Sequence, residues 1–358
     1  MFGGSQVINQ LKNLIEEAKK ENASDIHLEL VGSQGRIRYR IDGLLQTKLE
    51  YNKEMLESII SRIKYLANLD ITLKKKIQEG CIIGGLLDSS DIRVSIVPTV
   101  LGEKAVLRIR TNKNYLDLNK IGFSSFNKNL YLNLIRHNSG IILFTGPTGS
   151  GKSTTLLATV SELSNSDKNI ITLEDPVEIL IPGINQIYVN TNAGQSFAEY
   201  LRAILRQDPD IIMVGEIRDH ETAAMTTRAA LTGHLVLSTV HADSSIGAIT
   251  RLLEMGIPAY LVASTIRGVI SQRLIRKTCL SCGGTGCLEC YQTGFKGRKA
   301  IHEIIRIDQS IKDGIIKGLS EKELLDIAYK TGFKTLKDNF KEEIANSITS
   351  KSEMARVL

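Results

Sequence analysis

Residues Gly146, Pro147, Thr148, Gly149, Ser150, Gly151, Lys152 and Ser153 match the spacing G-x4-G-K-S/T, and Thr154 follows. They stand between the strand-like run IILFT and the helix-like run STTLLATVSEL, the context in which this pattern holds phosphate. Glycines let the backbone curl so that successive N–H groups point at phosphate oxygens, and the helix amino terminus adds its positive dipole end. Lys152 is placed to neutralise the β and γ phosphates, and Ser153 to offer its hydroxyl to Mg²⁺. The expected ligands are therefore ATP and Mg²⁺, while hydrolysis, transfer and sensing all stay compatible with the motif alone.

Carboxylates narrow that choice toward hydrolysis. The run from Asp210 to Glu216, DIIMVGE, reads as a buried strand ending in an acid, where a P-loop ATPase keeps the group that holds Mg²⁺ or orients the attacking water. Gly215 occupies the place where an aspartate usually stands. A second strand-like run, NIITLE, ends in Glu174 and Asp175. Glu216 is expected as the base and Glu174 with Asp175 as the Mg²⁺ shell; the two glutamate roles can be exchanged. The competing reading for any single acid is a solvated strand end.

Two histidines bracket another apolar run, His234-LVLSTV-His241, and either can hydrogen-bond a γ-phosphate or a neighbouring acid. His241 has the better position, at the carboxyl end. Four arginines complete the candidates: Arg93 and Arg108 on early strands, and Arg202 and Arg206 on one helical face. A P-loop alone stabilises transition-state charge poorly, so an arginine supplied by another domain or subunit is its expected complement. Taken singly, each of the four reads equally well as a surface ion pair.

Cys279, Cys282, Cys287 and Cys290 form two C-x2-C pairs that can close a tetrahedral Zn²⁺ site. Four thiolates leave no open position for water, so the zinc is structural; a redox pair or four unrelated core cysteines are the rivals. Arg273, Arg276, Lys277, Lys296 and Arg298 flank this loop with few aromatics to stack bases, which favours protein docking or bracing over nucleic acid. Cys81 is expected as a small buried apolar residue.

The elements that must position these groups fall into two patterns within 358 residues. Residues 1–112 read as an α+β domain: Val7, Leu11, Leu14, Ile15 and Ala18 share a helical face, and alternating runs follow, two of them joined at an Asp42-Gly43 turn. A linker is expected over 113–120. From residue 121 onward apolar runs alternate with helix-length stretches, which predicts an α/β domain with a parallel sheet covered on both faces. Three short helical patterns around Ile311, Leu324 and Leu336 suggest a bundle in the tail, 307–358.

Bulk properties set the frame. With 42% hydrophobic and 23% charged residues the chain has the composition of a well-cored globular protein. Its amino-terminal stretch is amphipathic rather than a signal peptide, and folding in the cytosol is expected. A formal charge of +6 is spread among nearly as many acids, which describes a slightly basic solvated surface.

In order along the chain, ASDIH, RIRYRIDG, DIRVS with LGEKAVLRI, GPTGSGKST, ITLEDPVE, LRAILRQDPDIIMVGEIRDHETA, GHLVLSTVHAD, QRLIRK and GFKGRKAIHE resemble the secretion-superfamily ATPases of type IV pilus and type II secretion assembly. The resemblance implies a PAS-like first domain and a RecA-like ATPase domain, assembled as a homo-hexamer. It names ITLEDPVE the Asp box and GHLVLSTVH the His box, makes a glycine at position 215 usual, and maps the phosphate-contacting arginines onto Arg93, Arg108, Arg202 and Arg206. The four-cysteine insertion is that of members that extend filaments, and the short form is similar to the competence pseudopilus ATPases of Gram-positive bacteria. The implied load is a pilus, secretion pseudopilus or competence pseudopilus. The implied partner is a polytopic inner-membrane platform protein, giving a cytoplasmic chain held peripherally at the membrane, with no direct contact to nucleic acid. A DNA-pulling ATPase and a non-hydrolysing nucleotide sensor are the alternative readings.

Overall fold

A computed structural model describes residues 4–83, 92–109, 116–164 and 167–358. The chain divides into two compact units, Met1–Lys113 and Asn114–Leu358. Among the described residues no helix is long and apolar enough to cross a membrane.

In the first unit, helix α1 (Gly4–Lys20) precedes strands β1 (Asp25–Val31), β2 (Gln34–Ile41) and β3 (Leu44–Asn52), helix α2 (Lys53–Leu66), and strands β4 (Gln78–Ile82), β5 (Ile92–Thr99) and β6 (Gly102–Ile109). The sheet runs β3-β2-β1-β6-β5-β4, with every neighbour antiparallel. Asp42 and Gly43 both take positive φ, so the β2–β3 hairpin turns where the Asp-Gly pair predicts. One sheet face packs Ile26, Leu28, Ile37, Tyr39, Val94 and Leu107 against both helices.

The other face is a charge lattice set by the two-residue period of the strands. Glu29 takes Arg36 at 2.9 Å, Arg38 at 2.6 Å and Lys104 at 3.3 Å; Asp25 takes Arg108 at 2.9 Å. Burial alone would raise the Glu29 carboxyl, but the Arg38 and Arg36 guanidinium groups hold it below its ordinary value. Strand β4 went unread in the sequence. Its Cys81 is half-exposed opposite Arg93, not a buried core residue, because β4 is the edge strand and packs on one side only.

The second unit begins with a 3₁₀ turn at Leu118–Lys120, inside the expected linker; residues 113–115 of that linker lie outside the described residues. Its elements are α3 (Ser125–Ile135), β7 (Gly140–Thr145), α4 (Lys152–Leu163), β8 (Ile170–Glu174), β9 (Asn185–Tyr188), α5 (Phe197–Ile204), β10 (Ile211–Ile217), α6 (His220–Leu231), β11 (Leu235–Val240), α7 (Ser245–Glu254) and α8 (Ala259–Thr265). Then come β12 (Ile266–Thr278), β13 (Phe295–Arg306), α9 (Gln309–Ile316), α10 (Glu321–Lys330), α11 (Leu336–Ala345) and α12 (Lys351–Val357).

The sheet order is β13-β12-β7-β11-β10-β8-β9, parallel throughout except for the β12–β13 edge pair. Alternate strand residues enter separate cores. Ile141, Leu143, Ile212, Val214 and Val236 face one, while Ile142, Phe144, Ile211, Met213 and Leu237 face the other. Burial on both faces is why these strands read as unbroken apolar runs.

The tail differs from the expected bundle. Helices α9 and α10 add Ile311, Ile315, Leu324 and Ala328 to the larger core, whereas Leu336 and Phe340 of α11 pack against Ile275 and Ile301 of the β12–β13 hairpin. Helix α12 had no clear sequence signature. It is pinned by Glu353, which takes Arg276 at 2.7 Å and Arg356 at 2.5 Å. Burial would raise this carboxyl, but hydrogen bonds from Arg356 and Arg276 bring it down to about 2.

Candidate active site

Parallel strands end at one edge of a sheet, so the loops after β7, β8, β10 and β11 share the carboxyl edge of the second unit. After β7 the chain turns through Gly146 at φ +138° and Gly151 at φ +88°, conformations that L side chains rarely adopt. Space excludes side chains there too. A Cβ on Gly146 would lie 2.5 Å from the Gln272 carbonyl oxygen, and one on Gly151 would lie 2.8 Å from Gln272 Nε2. Gly151 also caps α4 without a side chain, leaving that helix terminus to present backbone N–H groups.

Lys152 folds over this loop, its Nζ donating to the carbonyls of Gly146 at 2.6 Å and Pro147 at 3.0 Å. Burial lowers the Lys152 pKa below its ordinary value, the nearby Arg273 charge lowers it further, and Glu216 opposes both. A curled loop, an uncapped helix terminus and a desolvated ammonium fit a phosphate chain with its metal. Ser153 is exposed beside Lys152, while the Ser150 side chain is buried under the loop.

Glu216, near the end of β10, accepts from Arg218 Nε at 2.6 Å, and His241 Nε2 stands 3.6 Å from the same oxygen. The structure therefore brings Lys152, Glu216 and His241 to one edge. Gly215 has a spatial reason: a Cβ there would meet the Leu173 carbonyl at 3.0 Å and the Phe197 ring at 3.5 Å. Hydroxyls of Ser238 and Thr239 donate to the carbonyls of Val214 and Gly215, each at 2.8 Å, and fix the strand end beneath Glu216.

Glu174 is buried at the end of β8, and its Oε1 accepts from Thr172 Oγ1 at 2.7 Å and Gln186 Nε2 at 2.9 Å. Gln186 also donates to Ile179 O and accepts from Ile181 N, so the 179–186 segment sets the carboxylate's direction. Asp175 accepts from the Thr191 hydroxyl.

Other candidates have local partners of their own. His234 lies at the amino end of β11, seven residues before His241 and so roughly 20 Å away along extended chain. Its Nδ1 meets Ala229 O at 2.9 Å and Thr232 Oγ1 at 3.1 Å, a local contact that closes helix α6. Arg202 pairs with Glu221 at 3.1 Å, and Arg206 donates to the Arg202 carbonyl at 3.3 Å; both are exposed. Arg93 and Arg108 face each other across β5 and β6 of the first unit.

Three contributors escaped sequence reading. Arg218 pairs with Glu216, and Gln272 and Arg273 of β12 press against the phosphate loop. Arg273 does not serve the cysteine loop; its guanidinium donates to Gln272 O at 3.0 Å and Asp243 O at 2.9 Å. The available signal was a Gln-Arg pair in the middle of the apolar run VISQRLI.

The cysteines lie at the turn of the β12–β13 hairpin. All four sulfurs fall within 4.8 Å of one another, and the Cys279–Cys287, Cys282–Cys290 and Cys287–Cys290 separations are 3.9, 3.8 and 3.7 Å. Four ligands about 2.3 Å from a tetrahedral zinc would stand roughly 3.8 Å apart, so the donor set fits Zn²⁺. Cys-Leu-Ser-Cys and Cys-Leu-Glu-Cys are related by an offset of eight residues, and Ser281 bonds Glu289 at the equivalent position. N–H groups of Gly286 and Cys287 donate to the sulfurs of Cys282 and Cys290, at 3.3 and 3.2 Å.

Residues 3–356 match the family model described as type II/IV secretion system protein. The chain is 43% identical over 364 residues to type II secretion system protein HxcR of Pseudomonas aeruginosa, covering 99% of this chain and 78% of that one. It is 40% identical over 380 residues to type II secretion system ATPase E of Vibrio cholerae, covering 98% and 75%. Among solved structures it is similar to the pilus retraction motor PilT with bound ADP, at 28% identity and a TM-score of 0.62, covering 92% of this chain and 96% of that one. With nearly its whole length matched in sequence and fold, the chain belongs to the type II/IV secretion system protein family.

Proposed function

We propose that this P-loop ATPase is the hexameric motor of a type IV pilus, type II secretion or competence pseudopilus machine, and that ATP hydrolysis drives filament assembly at the cytoplasmic face of the membrane. The observation that carries the reading is the convergence of Lys152, Glu216 and His241 at one sheet edge, beside a loop shaped for phosphate.

Backbone N–H groups of the loop from Thr148 to Lys152 hold the phosphate chain, and Lys152 swings from the loop carbonyls to the β and γ oxygens. Bound magnesium neutralises charge on the phosphate oxygens. Ser153, with Glu174 and Asp175, would hold it. Glu216 orients the attacking water, with Arg218 and His241 standing against its Oε2. Arg202 and Arg206, exposed on and just beyond α5, are available to a neighbouring subunit, and Arg93 and Arg108 are the further phosphate-contacting arginines that the family resemblance implies. The four cysteines hold a structural zinc that braces the β12–β13 hairpin. The partner is a polytopic inner-membrane platform protein; nucleic acid is not a ligand.

Phosphate release by the purified chain tests this. Mg²⁺-dependent release without DNA is expected from the wild type, and none from Lys152→Ala. Release that requires DNA would replace the filament motor with a DNA translocase, and no release from any assembly would leave a nucleotide sensor.

A further inference from the structure

Gln272 lies buried in β12, 1% exposed, on a strand that gives the site described above no acid and no phosphate ligand. Its Nε2 donates to the Ser150 carbonyl at 2.8 Å, and its Oε1 accepts from Thr155 Oγ1 at 2.8 Å. A carbonyl can only accept, so the NH₂ end must face Ser150 and the oxygen Thr155. The same residue touches both ends of the phosphate loop: its carbonyl abuts Gly146 and its carboxamide abuts Gly151. Arg273 Nη1 donates to that carbonyl and holds the backbone of Gln272 in place.

The Ser150 carbonyl and the Gly151 N–H belong to one planar trans peptide, in which C=O and N–H point in opposite directions. Drawing the carbonyl toward β12 therefore turns the Gly151 N–H away from β12, to the concave side of the loop. We propose that Gln272 is a positioning residue for nucleotide binding, whose carboxamide sets the orientation of the loop peptide that donates to phosphate. This rests on the reading of residues 146–153 as the nucleotide loop. Gln272 touches no nucleotide itself. A buried glutamine serving only the core would affect folding and leave affinity alone.

The test compares full-length wild type, Gln272→Met, Gln272→Glu and Lys152→Ala by titration with a fluorescent ADP, by ATP turnover and by thermal unfolding. Gln272→Met keeps length and loses the donor. Its ADP dissociation constant and its KM for ATP should rise about tenfold, the scale of one buried hydrogen bond, with kcat within about threefold and the unfolding temperature nearly unchanged. Gln272→Glu sets an acceptor against the Ser150 acceptor and should bind more weakly still. ADP affinity within about twofold of wild type in a folded Gln272→Met overturns the proposal, as does a lowered kcat and unfolding temperature at unchanged affinity. If Gln272→Met does not fold, Gln272→Glu decides by the same affinity measure. If neither folds, Gln272 is a core residue and the proposal is wrong. Wild-type ADP affinity in Lys152→Ala would instead overturn the nucleotide-loop reading.

Discussion

A carboxylate that orients water needs a free oxygen, and Arg218 and His241 both stand against Oε2 of Glu216. Glu216→Gln should keep that geometry while losing basicity, so ATP binding is expected to persist as phosphate release falls at least about a hundredfold. Equal loss of binding would point to a structural role. Gly215→Asp restores the acid usual in other P-loop ATPases, yet its Cβ would press on the Leu173 carbonyl. Lower stability and lower activity are expected, read by thermal unfolding and turnover. The acids were legible because an apolar run that ends in a carboxylate is a local pattern. Gln272 was not, because what it touches, Ser150 and Thr155, lies more than a hundred residues away in sequence.

Among elements, the cysteine loop and α12 answer to different perturbations. Chelation, or Cys282→Ser, should release about one zinc per chain and deprotect residues 279–294 in hydrogen exchange while β7 and β10 stay protected. Uniform protection after zinc loss would contradict a bracing role. Helix α12 depends on Glu353, whose folded pKa of about 2 lies below the ordinary glutamate value. Such a group stabilises the fold at pH 7, and that contribution is lost as pH falls from about 5 toward 2. Glu353→Gln should flatten the acid limb of stability measured by urea unfolding. The parallel strands were readable from their double-sided burial. Edge strand β4, half-exposed over QEGCI, and the seven-residue α12 were not, since their places come from long-range contacts.

For the assembled molecule, the exposed Arg202 and Arg206 matter most if a neighbour's phosphate is their target. Mixing Lys152→Ala chains with Arg206→Ala chains should then recover part of the hydrolysis that each lacks alone, because some interfaces pair an intact loop with an intact arginine. No recovery would place the arginine within its own subunit's site. The hydrophobic period changes near residue 120 and the chain divides into two units at Lys113 and Asn114, while an oligomeric state leaves no periodic trace in a single chain. Since glycine stands at position 215, where a Cβ would crowd the Leu173 carbonyl, the candidate acids of this site end two adjacent strands. The spacing of Glu174 and Glu216 is thus governed by how β8 lies alongside β10, from Ile170 opposite Ile211 to Leu173 opposite Val214. The main chain acts as the ruler, and sliding one strand by a single notch would separate the acid proposed for the metal from the acid proposed for the water without changing either side chain.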